Sequence, residues 1–169
     1  MGRLLSWLGL QKGDSYPNLD ALLRELRRAL PDDESVVVRY IAIVIVLLGR
    51  VAMADGRFSE KEEQTLRGLL AHVDRLSPDS AERVCSALKG QLPRVGEDEL
   101  SLCYRELKGL CDGRERVEVM RLLTQLAAVD GETTPAEHAE LASIAEALGV
   151  PMRDLASVEE EVAHSRRLA

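Results

Sequence analysis

The sequence predicts an all-α fold, and three observations carry that prediction. Aromatic residues make up only 3% of the chain and alternating β-branched runs are scarce, which leaves little to build strands from. Leu, Ala, Glu and Arg, all good helix formers, dominate the composition. Apolar residues recur at helical spacing in successive segments, many opened by Ser/Thr/Asp or Pro signals and closed by Gly or Pro. With 169 residues, 46% hydrophobic and 30% charged, the simplest organisation is one helical domain of about seven to eight helices. Residues 1–18 read as an amphipathic head and linker, and 19–169 as the domain.

The head, Met1 to Leu10, carries Leu4, Leu5, Trp7, Leu8 and Leu10, with the chain's only Trp. It is too short and too weakly basic for a secretory signal, and too short for an independently stable helix. Its apolar side suits a membrane interface, a partner or the domain's own surface. Gly13, Asp14, Ser15 and Pro17 mark a linker. Leu19, Leu22, Leu23, Leu26 and Leu30 then share one helical face, with Asn18 as cap and Arg24, Arg27 and Arg28 toward solvent. Pro31 ends this helix, and Asp32 or Asp33 is expected to cap the next.

That next helix, from Val36, is apolar on nearly every face, as a helix buried on most sides should be. Arg39 and Arg50 bracket only about ten uninterrupted apolar residues, short of the roughly twenty a bilayer core needs, so a core helix is expected. It breaks at Asp55-Gly56, and Ser59 with Glu62 forms a capping box for a helix with Leu66, Leu69, Leu70 and Val73 inside. Ser77-Pro78 opens another helix, to about Leu88, which Gly90 and Pro93 end. Glu97, Asp98 and Glu99 favour the dipole of a helix running to about Cys111. Arg114 to Val129 is a second long helix, entering Asp130-Gly131. Thr134-Pro-Ala-Glu137 is then a capping box for a helix burying Leu141, Ile144, Ala145 and Leu148. Gly149 ends it, and a last helix runs from Met152 to about His164.

A net charge of −7 argues against nucleic acid and permits a cation or a basic partner. Cys85, Cys103 and Cys111 are odd in number and lack metal-ligand spacing, and His72, His138 and His164 are scattered, so no zinc pattern emerges. The thiols are expected to be small buried apolar residues in a reducing cytoplasm. No phosphate loop, nucleophile elbow or His-Glu metalloprotease motif occurs, and the expectation is a protein that is not an enzyme.

A shift of 75 residues superimposes two segments without a gap. Ala52 falls on Ala127, Asp55 on Asp130, Gly56 on Gly131, Ser59 on Thr134 and Glu62 on Glu137. Leu66, Leu69, Leu70 and Val73 fall on Leu141, Ile144, Ala145 and Leu148. The copies span about 36–75 and 111–150. Two copies are too few for an open solenoid, so a pseudo-twofold bundle is expected, its two long helices packed centrally.

The segments Val51-Ala-Met-Ala-Asp-Gly-Arg-Phe-Ser-Glu-Lys-Glu and Leu126-Ala-Ala-Val-Asp-Gly-Glu-Thr-Thr-Pro-Ala-Glu resemble the two halves of the TerB-like domain. This is the tellurite-resistance family, also found fused to J-domain co-chaperones of the DjlA type. The resemblance spans roughly Ser35 to Val150. It implies an all-α fold of about seven helices with an internal repeat. It also implies a bacterial cytoplasmic protein of metal or chemical stress, often working with protein partners at the inner membrane. No His-Pro-Asp J-domain signature occurs here, so any chaperone role would act in trans.

The resemblance points to the acidic turns as a cation site, and Asp55, Glu62, Asp130 and Glu137 are its candidate ligands. If the pseudo-twofold axis brings the turns together, four carboxylates could surround a divalent cation, with Glu132 as a fifth. The alternative is structural. Glu62 and Glu137 serve capping boxes, Asp55 and Asp130 accept backbone N–H groups within their turns, and the glycines supply backbone shape. The turns lack the EF-hand pattern. His138 follows Glu137, but its counterpart is Glu63, so a symmetric catalytic histidine is not expected and His138 reads as a surface residue.

Overall fold

The computed structural model describes residues 17–73, 76–131 and 133–168. The head Met1–Leu10, most of the linker, and Glu132 therefore lie outside the described residues. Eight α-helices and one 3₁₀ turn, with no strand, make up the described chain. They are α1 (Pro17–Ala29), α2 (Ser35–Ala52), α3 (Glu60–Ala71), α4 (Pro78–Gln91), α5 (Glu97–Leu110), α6 (Gly113–Ala127), α7 (Pro135–Leu148) and α8 (Met152–Arg167). The 3₁₀ turn, Leu92–Arg94, follows α4.

Helix α2 is the axis of the molecule. It packs against α1, α4, α5, α6 and α7, which is why nearly every face is apolar. Ala42 through Gly49, with Val38, Val51 and Ala52, are all buried. By length and mean hydropathy alone α2 could cross a membrane, but most of it is buried inside the protein, as a core helix should be. The two arginines that bracket its apolar run tie it to its neighbours. Arg39 pairs with Glu106 on α5, and Arg50 Nε lies 3.1 Å from Glu140 Oε1 on α7. Gly49 admits the end of α4 and the 3₁₀ turn after it: a Cβ there would stand 2.9 Å from Leu92 Cδ2 and 3.1 Å from Leu88 Cδ2.

Several helix ends differ from the sequence-based expectation. Helix α1 starts at Pro17, so Asn18 lies inside its first turn and is not the cap. Neither Asp32 nor Asp33 caps α2; its N-cap is Glu34, with no side-chain bond to the helix. The corner is held instead by Arg27, which donates to the Asp33 carbonyl at 2.8 Å and to Ser35 Oγ at 2.7 Å. Arg27 is thus a corner brace, not part of a purely solvated face. Helix α4 continues through Gly90 to Gln91, and α8 runs three residues past His164 to Arg167. Helix α6 begins one residue early, because Asp112 and Glu115 form a further capping box.

The repeat is written into the backbone. Each long helix ends in the same tightened turn: Ala54 N donates to Val51 O at 3.0 Å as Val129 N does to Leu126 O at 3.1 Å. Gly56 N then donates to Met53 O, and Gly131 N to Ala128 O. Gly56 (φ +83°) and Gly131 (φ +133°) both take conformations that disfavour a Cβ. Gly56 does not cap α2 directly; it closes this extra turn, four residues beyond the helix end. The long helices α2 and α6 pack on each other, and each also crosses onto the capped helix of the other half, α2 on α7 and α6 on α3. The repeat also extends further than the 75-residue shift reveals. The buried positions Ala81, Val84 and Leu88 of α4 match Leu155, Val158 and Val162 of α8 at a shift of 74.

Candidate functional site

The two capping boxes have nearly the same geometry. Ser59 and Thr134 sit at φ −68°, ψ 159° and φ −68°, ψ 158°. Each backbone N–H donates to its glutamate, Ser59 N to Glu62 Oε2 and Thr134 N to Glu137 Oε2, both at 2.7 Å. In return Ser59 Oγ accepts from Glu62 N at 3.1 Å, and Thr134 Oγ1 from Glu137 N at 3.2 Å. Both glutamates are buried, at 5% and 7% exposure, which is unusual for carboxylates whose caps could equally point to solvent.

The crossed packing brings the boxes toward one another. The Glu62 carboxyl has its pKa raised first by burial, partly offset by its hydrogen bonds with Ser59, and then by the negative charges of Glu137 and Asp130. Three of the four expected residues, Glu62, Asp130 and Glu137, are thus within electrostatic reach. Lys61, at the start of α3, crosses to the second turn with Nζ 3.5 Å from Asp130 Oδ1. Sequence reasoning missed Lys61, because nothing in one copy shows which residue of the other it will face.

Asp55 has a more local role. It is exposed, and its Oδ1 accepts from Arg57 N at 2.9 Å, the turn-closing bond its residue type predicts. The second turn receives Arg166 from α8 on the Gly131 carbonyl. Among the described residues, no group of three His, Cys, Asp or Glu side chains is arranged to hold a metal ion. Glu62 and Glu137 each commit Oε2 to a backbone N–H, and Asp130 Oδ1 lies beside the Lys61 ammonium.

The other chemistry-bearing residues lie elsewhere. Cys85, Cys103 and Cys111 are buried free thiols. Burial pushes the Cys85 thiol up to about 11 and the Cys103 thiol up to about 12, so both are protonated and unreactive at neutral pH. His138 is exposed, with Nδ1 2.8 Å from Glu159 Oε1 on α8.

A search of curated proteins and a search of solved structures each returned no significant match. A family model does match: that of tellurite resistance protein TerB, over residues 41–160. The matched stretch runs from within α2 into α8 and takes in most of α2, all of α6, both acidic turns and both capping boxes. An all-helical bundle with an internal repeat, together with a family model covering well over half of the chain, establishes that this protein belongs to the TerB family.

Proposed function

We propose that this chain is a non-catalytic binding module of a bacterial metal or chemical stress response of the tellurite-resistance kind. In this reading it works in the cytoplasm with a protein partner at the inner membrane. It binds a divalent cation through the paired turns, with Asp55, Glu62, Asp130 and Glu137 as the residues concerned. One observation supports the cation most: Glu62 is buried facing two further negative charges, Glu137 and Asp130. Like charges held together in a partly desolvated place are repulsive until a cation joins them, and oxygen donors suit calcium, manganese or a similar hard ion. Lys61 sets the competition, since its ammonium already neutralises part of Asp130.

The test is calorimetric titration with calcium, then manganese and zinc, on the wild-type protein and on Asp55→Ala/Asp130→Ala. Saturable binding near one ion per chain, lost in the double variant, is the expected result. A flat titration of folded protein would sink the cation.

A second reading is an interaction domain whose turns are purely structural, comparable to the domain's use beside J-domains. It is favoured by the hydrogen bonds already made. Glu62, Glu137 and Asp55 each give an oxygen to a backbone N–H, and Asp130 has a side-chain cation beside it. This reading predicts the flat titration together with capture of a protein partner that survives chelator.

A further inference from the structure

We infer that the apolar groove between the start of α2 and the α5–α6 corner is the docking site for this chain's own N-terminal segment, Met1–Leu10. The groove is lined by Val36, Val37, Tyr40, Leu110, Cys111 and Glu115. Val36 and Val37 are 44% and 40% exposed, two of the four large hydrophobic side chains the described residues leave open. They stand side by side at the start of a helix that is otherwise buried among five others. Its volume, about 270 Å³, falls below the roughly 300–1,000 Å³ of small-molecule sites and suits a few apolar side chains. Two half-exposed valines also fall well short of the about 1,200 Å² that a stable interface between two copies buries.

Three features of the chain select the N-terminal segment. The first is its pattern: Leu4, Leu5 and Leu8, with Trp7 beside them, share one side at helical spacing. A segment of that length does not hold a helix alone, so its apolar side gains stability only against a surface. The second is reach. Helix α1 is 13 residues long, about 20 Å, and residues 30–34 lead from it into α2, on whose first two turns Val36, Val37 and Tyr40 of the groove lie. The seven steps from Leu10 to Pro17 can span about 24 Å when extended, a little more than the length of α1. The third is charge. Met1–Leu10 contains Arg3 and no acid, and Lys12 follows. Glu115 lines the groove, and Glu34 and Asp112 adjoin it in sequence. Tethering through so short a linker supplies an effective concentration of about millimolar, which a free partner must exceed.

Trp7 is the chain's only tryptophan, so its fluorescence reports the segment directly in the full-length protein. Docking predicts blue-shifted emission and acrylamide quenching severalfold weaker than in Val37→Asp, with both signals independent of protein concentration. Leu4→Asp/Leu8→Asp, which leaves the helical domain's sequence untouched, is expected to release Trp7 to the same degree, and circular dichroism of each variant verifies folding. Solvent-like emission in the wild-type protein would overturn the inference. So would a buried Trp7 that neither variant releases. A shift that appears only at high concentration with a doubled mass would assign the groove to a second copy. A shift that appears only with phosphatidylglycerol vesicles would assign the segment to lipid.

Discussion

Glu62 serves a helix cap that needs an acceptor but lies where a negative charge is opposed, and substitution can separate the two. Glu62→Ala removes the Oε2 that accepts Ser59 N–H at 2.7 Å and leaves that N–H unpaired in a partly buried turn. Loss of a cap bond costs about 1 kcal/mol, and truncating a side chain only 5% exposed adds to it, for about 1.5 kcal/mol in all. In a chain of this length that lowers Tm by about 3–6 °C. Glu62→Gln keeps an acceptor in the same box and removes the charge that Glu137 and Asp130 oppose. Its stability at pH 7 is expected within about 0.5 kcal/mol of wild type, the weaker neutral bond offset by the relieved repulsion.

The pH dependence carries the sign. The Glu62 carboxyl is raised in the folded protein, by burial first, so the folded state holds its proton more tightly than the unfolded chain does. Between its ordinary range and its folded value, the folded state binds more protons, and this group's contribution to stability falls as pH rises. Glu62→Gln removes that contribution, so its stability relative to wild type should rise as pH climbs from the ordinary carboxylate range through the raised folded value, and level off above it. Urea unfolding of the three proteins at several pH values measures all of this. Equal destabilisation by Ala and Gln at pH 7 would refute the reasoning, because it would mean that the negative charge itself stabilises the turn.

Other outcomes follow from burial and packing. Leu66→Ala and Leu141→Ala, fully buried equivalents in the two halves, should each cost about 3 kcal/mol in urea unfolding. A cost confined to one of them would mean that the halves are not equally packed. Gly49→Val places methyl groups against Leu92 and Leu88 and should destabilise by about 1–3 kcal/mol, read as a lower Tm. Cys85 and Cys103, with thiols raised to about 11 and about 12, should resist a thiol reagent at pH 7 in the native protein and react fully in denaturant.

Local signals placed most elements. Ser59, Ser77 and Thr134 start the helices that their side chains announce, because a cap is a contact within four residues. The ends that differed are those decided at longer range. The corner before α2 is braced by Arg27 reaching forward from α1 to the Asp33 carbonyl and Ser35 Oγ. Asp112 with Glu115 was a legible box that the Asp112-Gly113 break concealed. The third helix of each repeat went unmatched because a one-residue slip after α3 and α7 breaks the register in sequence, while the buried faces still correspond.

The candidate site divides along the same line. From the sequence alone come the all-α class, the two-copy design, the acidic turns and the glutamates committed to caps, since each depends on neighbours in the chain. Tertiary structure alone decided that both glutamates are buried, that Glu62 lies within electrostatic reach of Glu137 and Asp130, and that Lys61 reaches across to Asp130. Those facts follow from α2 and α6 packing together while each crosses onto the other half's capped helix. The charges that meet come from residues about 70 positions apart. Their proximity is set by core packing, whereas a sequence pattern reports only what one stretch of chain does to itself.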